Sequence, residues 1–215
     1  MSYIRVESVD GDTSGIQPGK GGSIPTSTLP DIVPANPLFQ AENSGPLPTS
    51  PVQFHIAELD MRTAAELNTK WHSMLPRTDL GNLLCGNTSV AYVAEFGGFF
   101  YAVAIWSQPI IRAMCDGRTI ELRRLAISDS APKNTASRML AIMRRLLPKK
   151  YQQMTKAISY LAVDVHAGTI YKAAGWTPVG KVVDARPQRL PGSPQRATGP
   201  LQTTSRKQRW EQRIQ

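Results

Sequence analysis

Several side chains in this sequence can move a proton or hold an anion, and their positions suggest where chemistry would sit. Glu121 begins a strand-like run, Glu121-Leu-Arg-Arg-Leu125, where a carboxylate either serves as a general base or pairs with Arg123 or Arg124. Asp164 and His166 precede a short helical pattern. There Asp164 is placed to cap the helix, and His166 can act as acid or base because imidazole titrates near neutrality. His72 follows Trp71 off an apolar stripe, so it either faces a cleft or is solvated. Tyr171, on the short helix, either packs its ring or offers a phenolic proton. The polar stretch Ser128 to Thr135 links a strand to a helix, with Asn134 or Thr135 as the N-cap and Lys133 and Arg138 adding charge. Such a junction aims backbone N–H groups and the positive helix end at one point, which suits phosphate.

The elements that must position these groups follow from hydrophobic spacing. Thr63-Ala-Ala-Glu66 has the form of a capping box, so a helix is expected to start there, with Ala64, Leu67, Trp71, Met74 and Leu75 on one face and Pro76 ending it. Ser89 to Phe96 and Phe99 to Trp106 read as a hairpin around Gly97-Gly98. Thr119 to Ile127 is the next strand. A helix carrying Ala136, Met139, Leu140, Met143, Leu146 and Leu147 on one stripe is expected to stop at Pro148. Lys156 to Val163 is a strand, His166 to Ala174 a short helix closed by Gly175, and Trp176 to Val183 a last strand. The fold class is a mixed α/β sheet flanked by helices.

Composition sets the frame. The 215 residues suit one domain with tails. Residues 1–53 hold eight of the seventeen prolines and six glycines without periodicity, and read as an extended or disordered arm. The segment Ile32 to Phe39 within it is apolar enough to dock on a partner, a second copy of the chain included, or on the domain's own surface. Residues 54–183 form the domain and 184–215 a basic tail. From Lys181 onward there are eight Lys or Arg against Asp184 and Glu211, much of the net charge of +9. That excess either makes nucleic acid, DNA first, the expected partner through the tail or serves only to solubilise the chain. No apolar run approaches the roughly 20 residues of a membrane span, and the acidic first residues do not read as a secretory signal. Cys85 and Cys115 lie outside any CxxC or His cluster, so neither a disulfide framework nor a metal is expected.

The block from Glu121 to Trp176, and above all Thr169-Ile-Tyr-Lys-Ala-Ala-Gly-Trp176, resembles the core of the GNAT acyltransferases. The resemblance implies a largely antiparallel sheet in which the strand–loop–helix cradles the pyrophosphate of acetyl-CoA or a related acyl-CoA. The next strand splays away to admit the pantetheine arm. It also implies that Tyr171 protonates the departing thiolate, and that Ala126, Ser128, Lys133, Asn134, Thr135 and Arg138 hold the cofactor, with backbone amides near Ala126 to Ser128 at the oxyanion. The loop Asp129-Ser-Ala-Pro-Lys-Asn-Thr-Ala136 departs from the usual GNAT pattern in having no glycine.

A narrower phage and prophage set, which includes the Mom proteins, is similar at Trp71-His72-Ser73, Glu121 to Leu125, Ala131-Pro-Lys-Asn134, Ser159-Tyr160 and His166 to Tyr171. Mom proteins place a small acyl-derived group on adenine N6 of phage DNA and so block restriction enzymes. The resemblance implies a DNA-modifying N-acyltransferase working in the host cytoplasm, with Tyr171, Glu121, His166 and His72 as the catalytic candidates and Trp71 or His72 receiving an unstacked base. The alternative is a catalytically inactive GNAT-shaped DNA-binding or virion protein.

Overall fold

The computed structural model describes residues 33–34, 46–72, 88–183 and 206–214. In chain order its elements are β1 (Val33–Pro34), β2 (His55–Leu59), α1 (Met61–Trp71), β3 (Ser89–Phe96), β4 (Phe99–Ser107), β5 (Thr119–Ile127), α2 (Thr135–Lys150), β6 (Lys156–Ala162), α3 (Thr169–Ala173), β7 (Thr177–Val183) and β8 (Lys207–Arg213). The sheet runs β2-β3-β4-β5-β6-β8-β7, and β1 adds to β4 off this path. Only the β5–β6 pairing is parallel; the others are antiparallel. This is the mixed, largely antiparallel sheet expected from the sequence. No helix among the described residues is long and apolar enough to cross a membrane.

Apolar side chains cover both faces of the sheet. Met139, Leu140, Met143 and Leu147 of α2 pack with Trp106, Ile120 and Leu122 on one face, joined by Tyr171 and Ala174 at α3. The Trp106 Nε1–H reaches Met143 Sδ at 3.1 Å and fixes α2 over the centre of the sheet. On the other face, Ala64, Ala65 and Leu67 of α1 pack on Ala91, Val93, Val103, Ile105 and Ala126. The hairpin stands as expected: Gly97 and Gly98 take φ of +59° and +83°, the two positive values a tight turn of this kind requires.

Three expectations about single elements are corrected. Helix α1 begins at Met61, not Thr63, because the Asp60 carboxylate accepts the Thr63 N–H at 2.9 Å and caps the helix first; the far end expected at Met74 to Pro76 lies outside the described residues. Helix α2 passes through Pro148 to Lys150. The carbonyl deprived of its donor there belongs to exposed Arg144, where water can serve it. Asp164 does not cap α3, whose N-cap is Gly168; its carboxylate instead holds the Arg206 backbone N–H at 2.9 Å and the Arg206 guanidinium at 2.9 and 3.2 Å.

The largest correction concerns the boundaries at 53 and 183. Lys207–Arg213, expected within a free basic tail, is β8, inserted between β6 and β7 and paired along the whole of β6. Its alternation explains why: Trp210 faces the packed side with Gln208 and Gln212, while Lys207, Arg209, Glu211 and Arg213 face the other. Part of the N-terminal arm also joins the domain, since Val33–Pro34 pairs with Phe99 and Phe100 of β4, and the Tyr101 hydroxyl donates to the Pro46 carbonyl.

Candidate functional site

The site is built where two parallel strands stop pairing. β5 and β6 are joined from Thr119–Lys156 to Leu122–Ser159, and no pairing continues beyond Leu122 and Ser159. The cause is visible on the opposite edge of β5. Against β4 the register steps from Trp106–Leu122 to Ile105–Arg124, so Arg123 is the extra residue of a β-bulge. A bulge bends and twists its strand, and here it turns β5 away from β6. It also reverses which residues face which side. Ile120 and Leu122 lie on the α2 face before the bulge, whereas Arg124 and Ala126 lie on the α1 face after it.

Backbone groups line the cleft that opens. The Ser128 N–H donates to the Tyr101 carbonyl at 2.8 Å, so Ser128 and Tyr101 form a hydrogen-bonded antiparallel pair. Such pairs alternate, which turns the amide of Ala126 toward β4 as well and leaves those of Leu125 and Ile127 directed at the cleft. Within the range Ala126 to Ser128 named from the sequence, the Ala126 and Ser128 amides are therefore used by the sheet, and Ile127, with Leu125 just before that range, is left facing the cleft; only the register distinguishes them.

At the far end of β5 the chain turns into α2. Ser128 is buried, its Oγ accepts the Ser130 N–H at 3.2 Å, and its carbonyl accepts the Ala131 N–H. Asn134, the N-cap, has φ +70°, the one positive φ of a non-glycine residue among those described, and its side chain makes no capping bond. Thr135 is buried and spends its hydroxyl on the Pro132 carbonyl at 2.7 Å. The first-turn amides of Ala136 and Ser137 have no intrahelical acceptor. Lys133 and Asn134 are exposed beside them, and Arg138 keeps a buried Nε without a partner. Open amides, a helix of 16 residues and an orphaned guanidinium N–H fit the phosphates of an acyl-CoA. The left-handed turn at Asn134 supplies the geometry for which other loops use glycine, since Asn tolerates this conformation better than most residues.

Tyr171 stands on the α2 side of the vertex. Its hydroxyl lies 2.8 Å from Ser159 Oγ, and Ser159 Oγ also donates to the Leu122 carbonyl at 3.3 Å. These are the last paired residues before the strands part. The ring is only 5% exposed, stacked on Trp210 with centroids 5.4 Å apart and meeting Trp176 edge-on at 5.3 Å. Burial pushes the phenol above its ordinary pKa, so it holds its proton at neutral pH. The sequence points to Tyr171 by role, whereas Ser159 enters there only through the Ser159-Tyr160 resemblance, with no role attached, and Trp210 sits unmarked in a charged run.

The α1 side carries the other candidates. Glu121 is buried; its Oε2 accepts the Ile110 N–H at 3.0 Å and its Oε1 lies 3.6 Å from Arg123 Nε. Burial raises its pKa, opposed by the Ile110 N–H and by Arg123 and Arg124. His72 is the C-cap of α1. Burial, with Arg124, His166 and Lys207 nearby, lowers its imidazole to about 4. His166 is exposed in the turn after β6, its N–H bonded to the Ala162 carbonyl, ahead of α3 rather than within it. The fold thus brings His72, His166 and Arg124 together, and places Tyr171 on the opposite face of the sheet. No group of three or more His, Cys, Asp or Glu residues that could hold a metal occurs among the described residues.

Comparison with known proteins gives the family and the fold. The model of the Mom protein family matches residues 53–212. The chain belongs to the Mom family. The matched range takes in β8, as the sheet requires. Solved structures give the fold. A spermidine N-acetyltransferase from Vibrio cholerae in complex with CoA and spermine superposes with TM-score 0.51 at 14% identity, covering 76% of this chain and 96% of that one. The ribosomal-protein-S18-alanine N-acetyltransferase of Escherichia coli gives 0.53 at 12%, covering 75% and 94%. An N-acetyltransferase from Staphylococcus aureus Mu50 gives 0.51 at 12%, covering 75% and 97%. At these identities the likeness shows the GNAT fold. No curated protein sequence matches the chain.

Proposed function

We propose that this Mom-family chain is an acyl-CoA-dependent N-acyltransferase that places a small acyl-derived group on an exocyclic amine, with adenine N6 of DNA as the acceptor. The observation that carries the reading is the vertex: β5 and β6 part directly after Leu122–Ser159, and the Tyr171 hydroxyl is bonded to that Ser159. A bound acyl-CoA supplies an activated thioester carbonyl. The open end of α2, with Lys133 and Arg138, holds its phosphates, and the Leu125 and Ile127 amides donate along the cleft, where they can stabilise negative charge on oxygen.

The acceptor amine enters from the α1 face, where Glu121 and neutral His72 are the available bases. As the C–N bond forms and the C–S bond breaks, one of them takes the amine proton. Tyr171 Oη returns a proton to the sulfur through Ser159 Oγ, the hydroxyl that bridges the sealed phenol and the cleft. Holding both partners in one cleft removes much of the entropic cost of their encounter. An adenine in duplex DNA must leave the stack to reach these groups.

A second reading, a GNAT-shaped DNA-binding protein without catalysis, is favoured by the burial of Tyr171 and by the glycine-free loop. Incubation of the protein with isotopically labelled acetyl-CoA and DNA, digestion to nucleosides and mass spectrometry separates the two. A labelled deoxyadenosine that disappears in Tyr171→Phe supports transfer. DNA binding with no modified nucleoside, across acetyl and other acyl donors, rejects it.

A further inference from the structure

On the α1 face, cationic groups stand on both sides of the β5–β6 cleft. Arg124, placed there by the bulge, projects from the β5 wall, with His72 beside it at the end of α1. On the other wall Lys207 opens β8 opposite Ala162, the last residue of β6, and the Ala162 carbonyl accepts the His166 N–H. Among the described residues each nearby carboxylate has a partner other than Arg124 or Lys207: Glu121 has Ile110 and Arg123, Asp164 has Arg206, and Glu211 has Arg209 at 3.0 Å. Arg124 donates from one terminal nitrogen to the Arg123 carbonyl, while its Nε is buried without a partner. Lys207 has no acceptor or carboxylate partner among the described residues. Two cations held close together, one with an unmet buried donor, leave a deficit that an anion with several oxygens fills.

We propose that Arg124 and Lys207, flanked by His72 and His166, form a phosphate site at the α1-side mouth of the cleft, and that it takes the phosphodiester next to the acceptor base. The site rests on the transferase reading for its ligand but not for its chemistry. It is separate from the open end of α2: four residues of extended strand, about 13 Å, lie between Arg124 and Ser128, and α2 covers the opposite face. Burial lowers the pKa of Arg124, His72 and Lys207, and neighbouring cations add to it: Arg123 acts on Arg124, Arg124 and Lys207 act on His72, and Arg124 acts on Lys207. A guanidinium fork gripping two phosphate oxygens, with an ammonium on the third side, would hold the strand while its base enters the cleft. Base contacts are not needed for this, so the site positions and does not specify.

The test is binding of a single-stranded 12-mer oligodeoxynucleotide with one adenine, by fluorescence anisotropy over a series of KCl concentrations. Lys207→Gln and Arg124→Gln should each weaken binding several-fold and make the slope of log K against log salt shallower by about 0.7, the value of one lost phosphate contact on a single strand. A neutral methylphosphonate at the linkage beside the adenine should do the same to the wild-type protein and add nothing to Lys207→Gln. Lys207→Arg should restore both affinity and slope, which separates the contact from a folding defect. CoA affinity by calorimetry should be unchanged in all variants. Unaltered oligonucleotide affinity and slope in both Gln variants overturns the proposal, and so does a fall in CoA affinity alone, which assigns the cations to the cofactor. If the slopes shift but no labelled deoxyadenosine forms, the phosphate site stands and the transferase reading falls. If deoxyadenosine is labelled and the slopes do not shift, the reverse holds.

Discussion

The Tyr171 hydroxyl and Ser159 Oγ lie 2.8 Å apart at the point where β5 and β6 separate, so the phenol meets the cleft through a second hydroxyl. This pair gives two substitutions with different signatures. Tyr171→Phe keeps the stacking on Trp210 and removes the proton. It should leave stability within about 1 kcal/mol, the net worth of one hydrogen bond, while kcat falls roughly 10²-fold or more with little change in KM. Ser159→Ala breaks the link but keeps the phenol. It should lower kcat to a similar extent and cost about 1–2 kcal/mol, because Tyr171 then holds a buried hydroxyl with no partner. Steady-state kinetics beside urea unfolding checks both. A kcat unchanged in Tyr171→Phe assigns the ring to packing alone.

Gly168 is the tightest contact behind that pair. It has φ +73°, and a methyl group there would lie 2.3 Å from Trp210 Cζ2, inside the ring that stacks on Tyr171. Gly168→Ala combines a left-handed conformation that costs about 1 kcal/mol with overpacking that costs about 1–3. A loss of about 3 kcal/mol in denaturant unfolding is expected. Gly98→Ala is the control: its φ is also positive, +83°, but nothing lies within 4 Å, so only the conformational part should appear.

Trp210 also shows where reading residues alone reaches its end. The elements from Ser89 to Ala173 follow from hydrophobic runs and glycine turns, because apolar side chains there face a core that α1 and α2 cover, whereas β7 is an edge strand with no buried residue. Lys207–Arg213 has the alternation of a strand, but the side that packs carries Gln208, Trp210 and Gln212 and the other side is charged. Its burial comes from tertiary insertion between β6 and β7, and only Trp210 and Ile214 mark it in the sequence. Glu121, His72, His166 and Tyr171 could be named from their types. The bulge at Arg123, which sets the face of Arg124 and turns the Leu125 and Ile127 amides to the cleft, is a register property with no local residue signature. Asp164 could be named but not assigned, since its partner Arg206 is 42 positions away.

His72 predicts an acid limb in stability. Its folded pKa of about 4 lies below the roughly 6.5 of an unfolded histidine, so between those values the unfolded chain binds the extra proton. Stability is therefore undiminished above pH 6.5, falls as pH drops from 6.5 to 4, and is not lowered further by this group below 4. The full shift would exceed 3 kcal/mol, but His72 is part-exposed and screened, so about 1–2 kcal/mol is expected. His72→Asn should flatten the unfolding free energy across this window relative to wild type. An identical pH profile in both proteins would show that the imidazole charges freely in the folded state.

Asn134 decides how a loop without glycine can still present amides to phosphate. Its φ of +70° is a conformation that glycine adopts freely and most side chains resist. Asn134→Gly should keep the turn, hold stability within about 0.5 kcal/mol and leave CoA affinity unchanged or tighter, since the backbone becomes less hindered. Asn134→Val keeps the peptide groups but penalises the left-handed turn. It should cost about 1–2 kcal/mol and weaken CoA binding about tenfold as the first-turn amides lose alignment. Arg138→Ala provides the companion measurement: it removes the guanidinium whose Nε has no protein partner. CoA affinity should fall severalfold with little loss of stability, because no protein hydrogen bond to that nitrogen is broken. Calorimetric titration of CoA into the three variants, each with its unfolding curve, tests the assignment. Equal affinities throughout would remove the open end of α2 from cofactor binding.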